Sequence, residues 1–241
     1  MIALIRIIFL VPIIIIACLI GILICIFRPF YRNNTYTVAH ILAGLAPLFG
    51  IKVINRVSKD LTTTPKVIVA NHQNNFDVVT ISGGVRPGVV SIGKKSLKWV
   101  PFFGQLYWLS GNILIDRKNS SKAANTINST ADKMRENNLS VWMFPEGTRS
   151  RGRGLLPFKT GAFHTAIQAQ VPIVPIVMSS TDKFSINRWN NGYAIIEDMQ
   201  PISMDNVSKS DVREVAKQTR EVMKGKIAEL DQQVAELNAN K

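Results

Sequence analysis

The segment Asn71-His72-Gln73-Asn74-Asn75-Phe76-Asp77 sets an imidazole and a carboxylate five positions apart. If the chain turns between them, Asp77 accepts a hydrogen bond from one ring nitrogen and fixes the tautomer. The other nitrogen then serves as a general base. The same spacing also suits a structural turn in which Asp77 caps a helix beginning near Val78. By themselves these seven residues leave both readings open.

What such a base would act on is narrowed by the rest of the chain. No G-x-S-x-G elbow occurs, and the only two cysteines, Cys18 and Cys25, lie in an apolar run, so no protein nucleophile is evident. Three histidines without an H-E-x-x-H spacing do not make a zinc hydrolase. Gly88-Val89-Val90-Ser91-Ile92-Gly93-Lys94-Lys95 approaches a phosphate-binding P-loop. Lys95 stands at its Ser/Thr position, however, and Val89–Ile92 reads as a strand. The base is left to activate a hydroxyl on a substrate.

Cations supply the second chemical signal. Lys94 and Lys95, Asp116-Arg117, and Pro145-Glu146-Gly147-Thr148-Arg149-Ser150-Arg151-Gly152-Arg153-Gly154 each follow a β-rich run. Arginine forks suit a phosphate, and glycine lets backbone amides approach one. Any one of these charges reads as a solvated surface group. Repeated at successive strand ends, they point to a substrate carrying a phosphate beside its hydroxyl.

Those strand ends need a scaffold. The candidate strands are Val67–Ala70, Val89–Ile92, Asn112–Ile115, Val141–Phe144, Ile173–Met178 and Tyr193–Ile196. They alternate with helical candidates Ser96–Ser110, Ser121–Asn137 and Thr160–Gln170. The pattern predicts an α/β fold with a largely parallel central sheet flanked by helices. Such sheets collect ligands beyond the carboxyl ends of their strands. His164, inside the third helix, is expected as a helix residue rather than a second base.

Ile7–Phe27 is a run of 21 uncharged residues, interrupted by Pro12. As a helix it is about 30 Å long, the thickness of a hydrocarbon core. Ile15-Ile16-Ala17-Cys18 resembles a lipoprotein cleavage box, but the apolar run continues nine residues beyond it, so a retained anchor is expected. Val38–Phe49, which contains His40, is a shorter apolar piece suited to an interfacial helix. The chain of 241 residues therefore divides into a membrane-anchoring helix pair (1–50), a core (51–204) and a C-terminal amphipathic helix (205–241). The apolar face of that last helix is read as Val212, Val215, Val222, Ile227, Leu230, Val234 and Leu237. With 46% hydrophobic and 19% charged residues, disorder is excluded. Of the net charge of +13, residues 28–204 carry +12, from 21 basic and 9 acidic side chains. A basic middle segment attracts an anionic membrane, a phosphorylated small molecule or a nucleic acid. Base-stacking aromatics would be needed for the last, and Phe144 and Phe158 alone flank the arginine cluster.

Four blocks occur in order: Asn71-His72 to Asp77, Gly111 to Arg117, Phe144 to Ser150, and Val171 to Ile176. They resemble the conserved blocks of the glycerolipid acyltransferases. The resemblance runs from about Met1 to Leu237, and is strongest to bacterial members that acylate lysophosphatidic acid. Leu114 departs from the pattern, where the family often has an aromatic residue. The resemblance implies transfer of a fatty acyl group from acyl-CoA or acyl-carrier protein to the sn-2 hydroxyl of 1-acyl-sn-glycerol 3-phosphate. Phosphatidic acid for phospholipid biosynthesis would be the product. By it, His72 is the base and Asp77 its partner. Arg117 and Arg149 hold the acceptor phosphate, Glu146, Gly147 and Thr148 shape its pocket, and Lys94 or Lys95 or a backbone amide stabilises the oxyanion. No cofactor or metal is implied. The location implied is the cytoplasmic face of a bacterial inner membrane. Acylation at sn-1 of glycerol 3-phosphate is the enzymatic alternative, and a membrane-tethered nucleic-acid-binding protein the non-enzymatic one.

Overall fold

A computed structural model of the chain describes residues 2–62, 64–116 and 119–240. Its centre is a seven-stranded sheet: β1 (Ile51–Asn55), β2 (Val67–Ala70), β3 (Val89–Lys94), β4 (Ile113–Ile115), β5 (Ser140–Met143), β6 (Ile173–Met178) and β7 (Gly192–Asp198). The strand order is β1-β7-β6-β2-β5-β3-β4. Neighbours are parallel except at β6–β7. The largely parallel sheet is as the sequence predicts. β7 turns back because residues 179–191 contain no crossover helix, which a parallel return requires. β1 carried no sequence signal, since Ile51-Lys52-Val53-Ile54-Asn55 lies at an edge and keeps a mixed pattern of burial.

The central strands β2 and β6 are buried at every position, on both faces of the sheet. One face is covered by α4 (Ser120–Asn137), α5 (Gly161–Ala169) and α6 (Val212–Ala239). The other carries a cluster built on Ile68, Ile81, Trp142, Ile176 and Ile196. In α6 the buried line runs Val212, Ala216, Thr219, Met223, Leu230, steps of three, four and seven residues along one helix face. Val222, assigned to the apolar face from sequence, is exposed, and Met223 fills that place in the core.

At the amino end, α1 (Ile2–Phe27) is long and apolar enough to cross a membrane. It nonetheless lies along the domain from end to end. Near its start the Ala3 N–H donates to Asn187 Oδ1 at 3.1 Å. The buried Arg6 guanidinium donates to the carbonyls of Ile186, Arg188 and Trp189. Leu10 packs with Phe49, Ile51 and Ala194, while Ala17, Cys18 and Cys25 pack with Val38, Leu42 and Leu106. Val38 and Leu42 belong to α2 (Asn34–Ala43), which is followed by a 3₁₀ turn at Ala46–Phe49. The helix expected over Ser96–Ser110 is instead two pieces, a 3₁₀ turn at Lys95–Trp99 and α3 (Phe103–Leu109). Pro101 divides them, having no N–H for the helical ladder.

Candidate active site

The carboxyl ends of β2, β5, β3 and β4 all lie on one edge of the sheet, because these strands are mutually parallel. Residues 71–77 leave β2 there and turn into a short 3₁₀ helix, Asn75–Val78. Asn74 Oδ1 accepts from the Phe76 N–H at 2.9 Å, which caps that helix. Asp77 is only 4% exposed. Its Oδ2 accepts from His72 Nδ1 at 2.6 Å and from the Gln73 N–H at 2.7 Å. Of the two readings of the H-x4-D spacing the structure shows the pairing: Asp77 orients the imidazole, whereas it caps no helix beginning near Val78 but lies inside the 3₁₀ helix that Asn74 caps. With Nδ1 as donor, Nε2 is the unprotonated nitrogen, and it makes no hydrogen bond to a described residue.

The turn is tied to distant chain by its amides. Asn71 exchanges two hydrogen bonds of 2.9 Å with the Met178 backbone. Gln73 donates to the Ser179 carbonyl at 2.8 Å and accepts from the Thr181 N–H at 2.8 Å. Asn74 donates to Thr181 Oγ1 at 2.8 Å. From the β5 side, the N–H groups of Ser150 and Arg151 donate to the carbonyls of His72 and Gln73. The Phe144 ring stacks on His72, with centroids 4.1 Å apart and planes at 19°. The imidazole is therefore fixed on one side by Asp77 and held against an aromatic face.

Glu146 is buried, and both its oxygens serve backbone donors: the His72 N–H at 2.7 Å and the Leu156 N–H at 2.9 Å. Burial pushes its carboxyl above the ordinary range, and these two N–H groups partly offset that. The carboxylate clamps the 71–77 turn to the 144–156 loop, a positioning role that no spacing in the sequence announces. At Gly147 φ is +70°, and a Cβ there would come within 3.0 Å of the Lys159 ammonium. The tight turn at 145–148 therefore needs glycine, and it brings in Lys159, a cation the sequence reading did not single out.

Arg149 follows on the same turn. Its Nε is buried with no hydrogen-bond partner among the described residues. A guanidinium N–H left without an acceptor in the protein is available to an anion. Thr148 is exposed beside it. Lys94 and Lys95 leave the end of β3 exposed to solvent, with Lys95 3.9 Å from Asp116. Arg117 lies outside the described residues.

His72 and Asp77 open on an apolar cavity of about 170 Å³. Val38, Leu42, Ile81, Val85, Leu106 and Trp142 line it, and Ser91, Tyr107 and Asn112 form its polar part. Neither Lys94, Lys95 nor the half-buried His164 lines this cavity. A base poised at the rim of an apolar hollow, with no Ser or Cys hydrogen-bonded to it among the described residues, suits transfer to a hydroxyl on an amphipathic substrate.

The acyltransferase family profile matches residues 23–179, well over half of the chain. The chain belongs to the acyltransferase family. This acyltransferase is 52% identical over 227 residues to the 1-acyl-sn-glycerol-3-phosphate acyltransferase of Escherichia coli, with 93% of each chain covered. It is 51% identical to the enzyme of that name from Haemophilus influenzae, over 93% and 94% of the two chains. The human 1-acyl-sn-glycerol-3-phosphate acyltransferase alpha is 35% identical over 83% of this chain and 72% of its own length. The crystal structure of an acyltransferase for 1-acyl-sn-glycerophosphate from Thermotoga maritima superposes with a TM-score of 0.61 at 20% identity. It covers 90% of this chain and 88% of that one, and shares the fold.

The Glu146 clamp gives a test within this acyltransferase. Glu146→Gln keeps the shape but turns one acceptor into a donor facing a backbone N–H. One of two buried donors is stranded, at a cost of about 1–3 kcal/mol. A lower unfolding midpoint together with a reduced kcat is the expected result. Unchanged stability and turnover would show that the clamp does not hold His72.

Proposed function

We infer that this acyltransferase moves a fatty acyl group from a thioester donor to the sn-2 hydroxyl of 1-acyl-sn-glycerol 3-phosphate, forming phosphatidic acid. The observation that carries this reading is the His72–Asp77 pair, its free Nε2 opening on an apolar cavity with no protein nucleophile beside it among the described residues. The substrate's own hydroxyl takes the nucleophile's place. Nε2 accepts the hydroxyl proton as the oxygen attacks the thioester carbonyl, and Asp77 stabilises the imidazolium that forms. The tetrahedral intermediate then expels the thiolate, which recovers the proton from His72. Arg149, with Lys159 nearby and Arg117 by resemblance, binds the acceptor phosphate, while the cavity takes acyl chain. Lys94, Lys95 or a backbone amide holds the oxyanion. The step needs no metal or redox cofactor.

The acceptor lives in a bilayer, and α1 supports a membrane location. Leu4, Ile8, Phe9, Ile16, Leu19, Ile20 and Leu23 form an exposed apolar face along it. Both ends of α1 rest on the catalytic domain, so the helix lies in one leaflet rather than crossing it. The basic surface then faces anionic lipid, and cytosolic thioester donors place the enzyme on the inner face of a bacterial cytoplasmic membrane. The nucleic-acid alternative loses its stacking platform, since Phe144 lies on His72 and Phe158 packs into the core.

The deciding assay offers glycerol 3-phosphate and 1-acyl-sn-glycerol 3-phosphate separately to the purified protein, each with acyl-CoA and with acyl-carrier protein. Turnover only with the lysolipid, with either donor, is expected. Turnover only with glycerol 3-phosphate would replace this reading with sn-1 acylation, and no turnover with either would end it.

A further inference from the structure

Beyond α1, a second apolar surface stands at the opposite side of the cavity wall. Residues 98–102, Lys98-Trp99-Val100-Pro101-Phe102, are exposed without a break. Trp99 is 75% exposed, and Phe102 and Trp108 also stand in solvent. Isolated exposed hydrophobics need no explanation, but a contiguous aromatic group does.

The backbone makes the exposure costly. At Phe102 φ is +61° and ψ −52°, and the Phe103 N–H donates to the Pro101 carbonyl at 2.7 Å. That is the γ-turn of positive φ, a rare and strained conformation. Non-glycine residues held in such regions cluster where function requires them. The hairpin is also closed tightly: a Cβ on Gly104 would lie 2.4 Å from the Leu97 carbonyl oxygen. A strained, closed turn here projects a bulky apolar side chain outward rather than into the core.

The surface is continuous with the face of α1. Trp108 meets Phe30 edge to face at 5.0 Å, and the Phe30 N–H donates to the Leu109 carbonyl at 3.1 Å. Phe30 follows the exposed end of α1 at Ile26 and Phe27. Charge completes the match. Lys98 Nζ lies 4.5 Å over the Trp99 ring, and Lys94, Lys95 and Arg28 are exposed around the hairpin. Indole rings capped by cations fit the junction of acyl chains with anionic headgroups.

We propose that the Lys95–Leu109 hairpin is a second lipid-inserting element, seated in the same leaflet as α1, with Trp99, Phe102 and Trp108 in the acyl–headgroup zone and Lys98 among lipid phosphates. This rests on the membrane placement of α1 given above. The occupant is an anionic bilayer rather than a protein, because the surface extends α1's apolar face and is rimmed by cations. α3 is then the partition between bilayer and cavity. Its inner residues Phe103, Leu106 and Tyr107 line the cavity, while Phe102 and Trp108 face lipid. The hairpin holds the cavity wall against the membrane from which the acceptor comes.

The test uses the full chain on vesicles containing phosphatidylglycerol. A fluorescent label on Phe102→Cys is expected to be quenched by brominated acyl chains as strongly as one on Leu19→Cys in α1. The native cysteines are buried and do not compete for label. The Trp99→Ser, Phe102→Ser, Trp108→Ser triple variant should show a KM for vesicle-borne lysolipid raised roughly tenfold or more. Its kcat on lysolipid dispersed in detergent micelles should be unchanged, because none of the three lines the cavity. An unquenched label at 102 beside a quenched one at 19 overturns the hairpin's insertion while leaving α1 in the membrane. Both labels unquenched overturns insertion of either element. A triple variant with wild-type KM on vesicles also overturns the proposal. Loss of micellar turnover in the parent protein would instead count against the catalytic reading, which the quenching measurement does not use.

Discussion

Acyl transfer by His72→Ala is expected to fall by about 10²–10⁴-fold, the usual contribution of a positioned general base. The loss should appear in kcat, since the imidazole acts on the proton in flight and adds little to ground-state binding. The fold should survive, because Asp77 still holds the Gln73 N–H and the Asn71 and Gln73 amides still tie the turn to β6. Asp77→Asn should be nearly as damaging. An amide oxygen can still accept from Nδ1, but it supplies no charge to the imidazolium, and the amide N–H₂ conflicts with a backbone donor. Circular dichroism and an unfolding midpoint on the same preparations separate chemistry from folding. A folded His72→Ala protein with near-normal turnover would end the general-base mechanism.

Arg149→Ala should act on a different parameter. The Arg149 Nε is buried without an acceptor among the described residues, which supports the proposed role of this guanidinium on the acceptor phosphate. A charge-assisted hydrogen bond of this kind contributes about 1.5–3 kcal/mol, which corresponds to roughly 10–100-fold in KM for the lysolipid. The donor's KM should stay within about twofold, because the proposed contact is to the acceptor. Arg149→Lys should recover only part of the loss, as a point charge does not reproduce two parallel N–H groups. If instead the donor's KM alone rose, Arg149 would belong to the donor's phosphates, and the acceptor's phosphate would fall to Lys159 and its neighbours.

Local chemistry was legible in the sequence wherever partners lie close along the chain. His72 and Asp77 are five residues apart, so one turn suffices to join them, whereas the helix cap that the same spacing suggested for Asp77 falls to Asn74. Strands β2, β3, β5 and β6 were readable because runs such as Val67-Ile68-Val69-Ala70 are apolar on both faces, as a central parallel strand must be. Pro101 sat inside the expected Ser96–Ser110 helix and was the visible warning of its break. Tertiary structure alone decided the rest. Glu146 reaches the His72 N–H across 74 residues, Gln73 reaches Thr181 across 108, and Arg6 reaches Trp189 across 183. None of these pairs has a period or spacing to betray it, because periodicity records only which face of one element is buried. Which distant backbone atom a buried side chain finds depends on strand order and on where each loop leaves the sheet. The phase of α6 was decided in the same way: Val222 and Met223 are both apolar, and only the shape of the groove over β6 and β7 selects Met223 for the core. The apolar length of α1 was plain from composition, whereas its seat along the domain depends on Arg6 and on the carbonyls of a loop 180 to 183 residues away. A sequence specifies such contacts only through the whole fold, since each is made by two segments whose proximity neither one encodes.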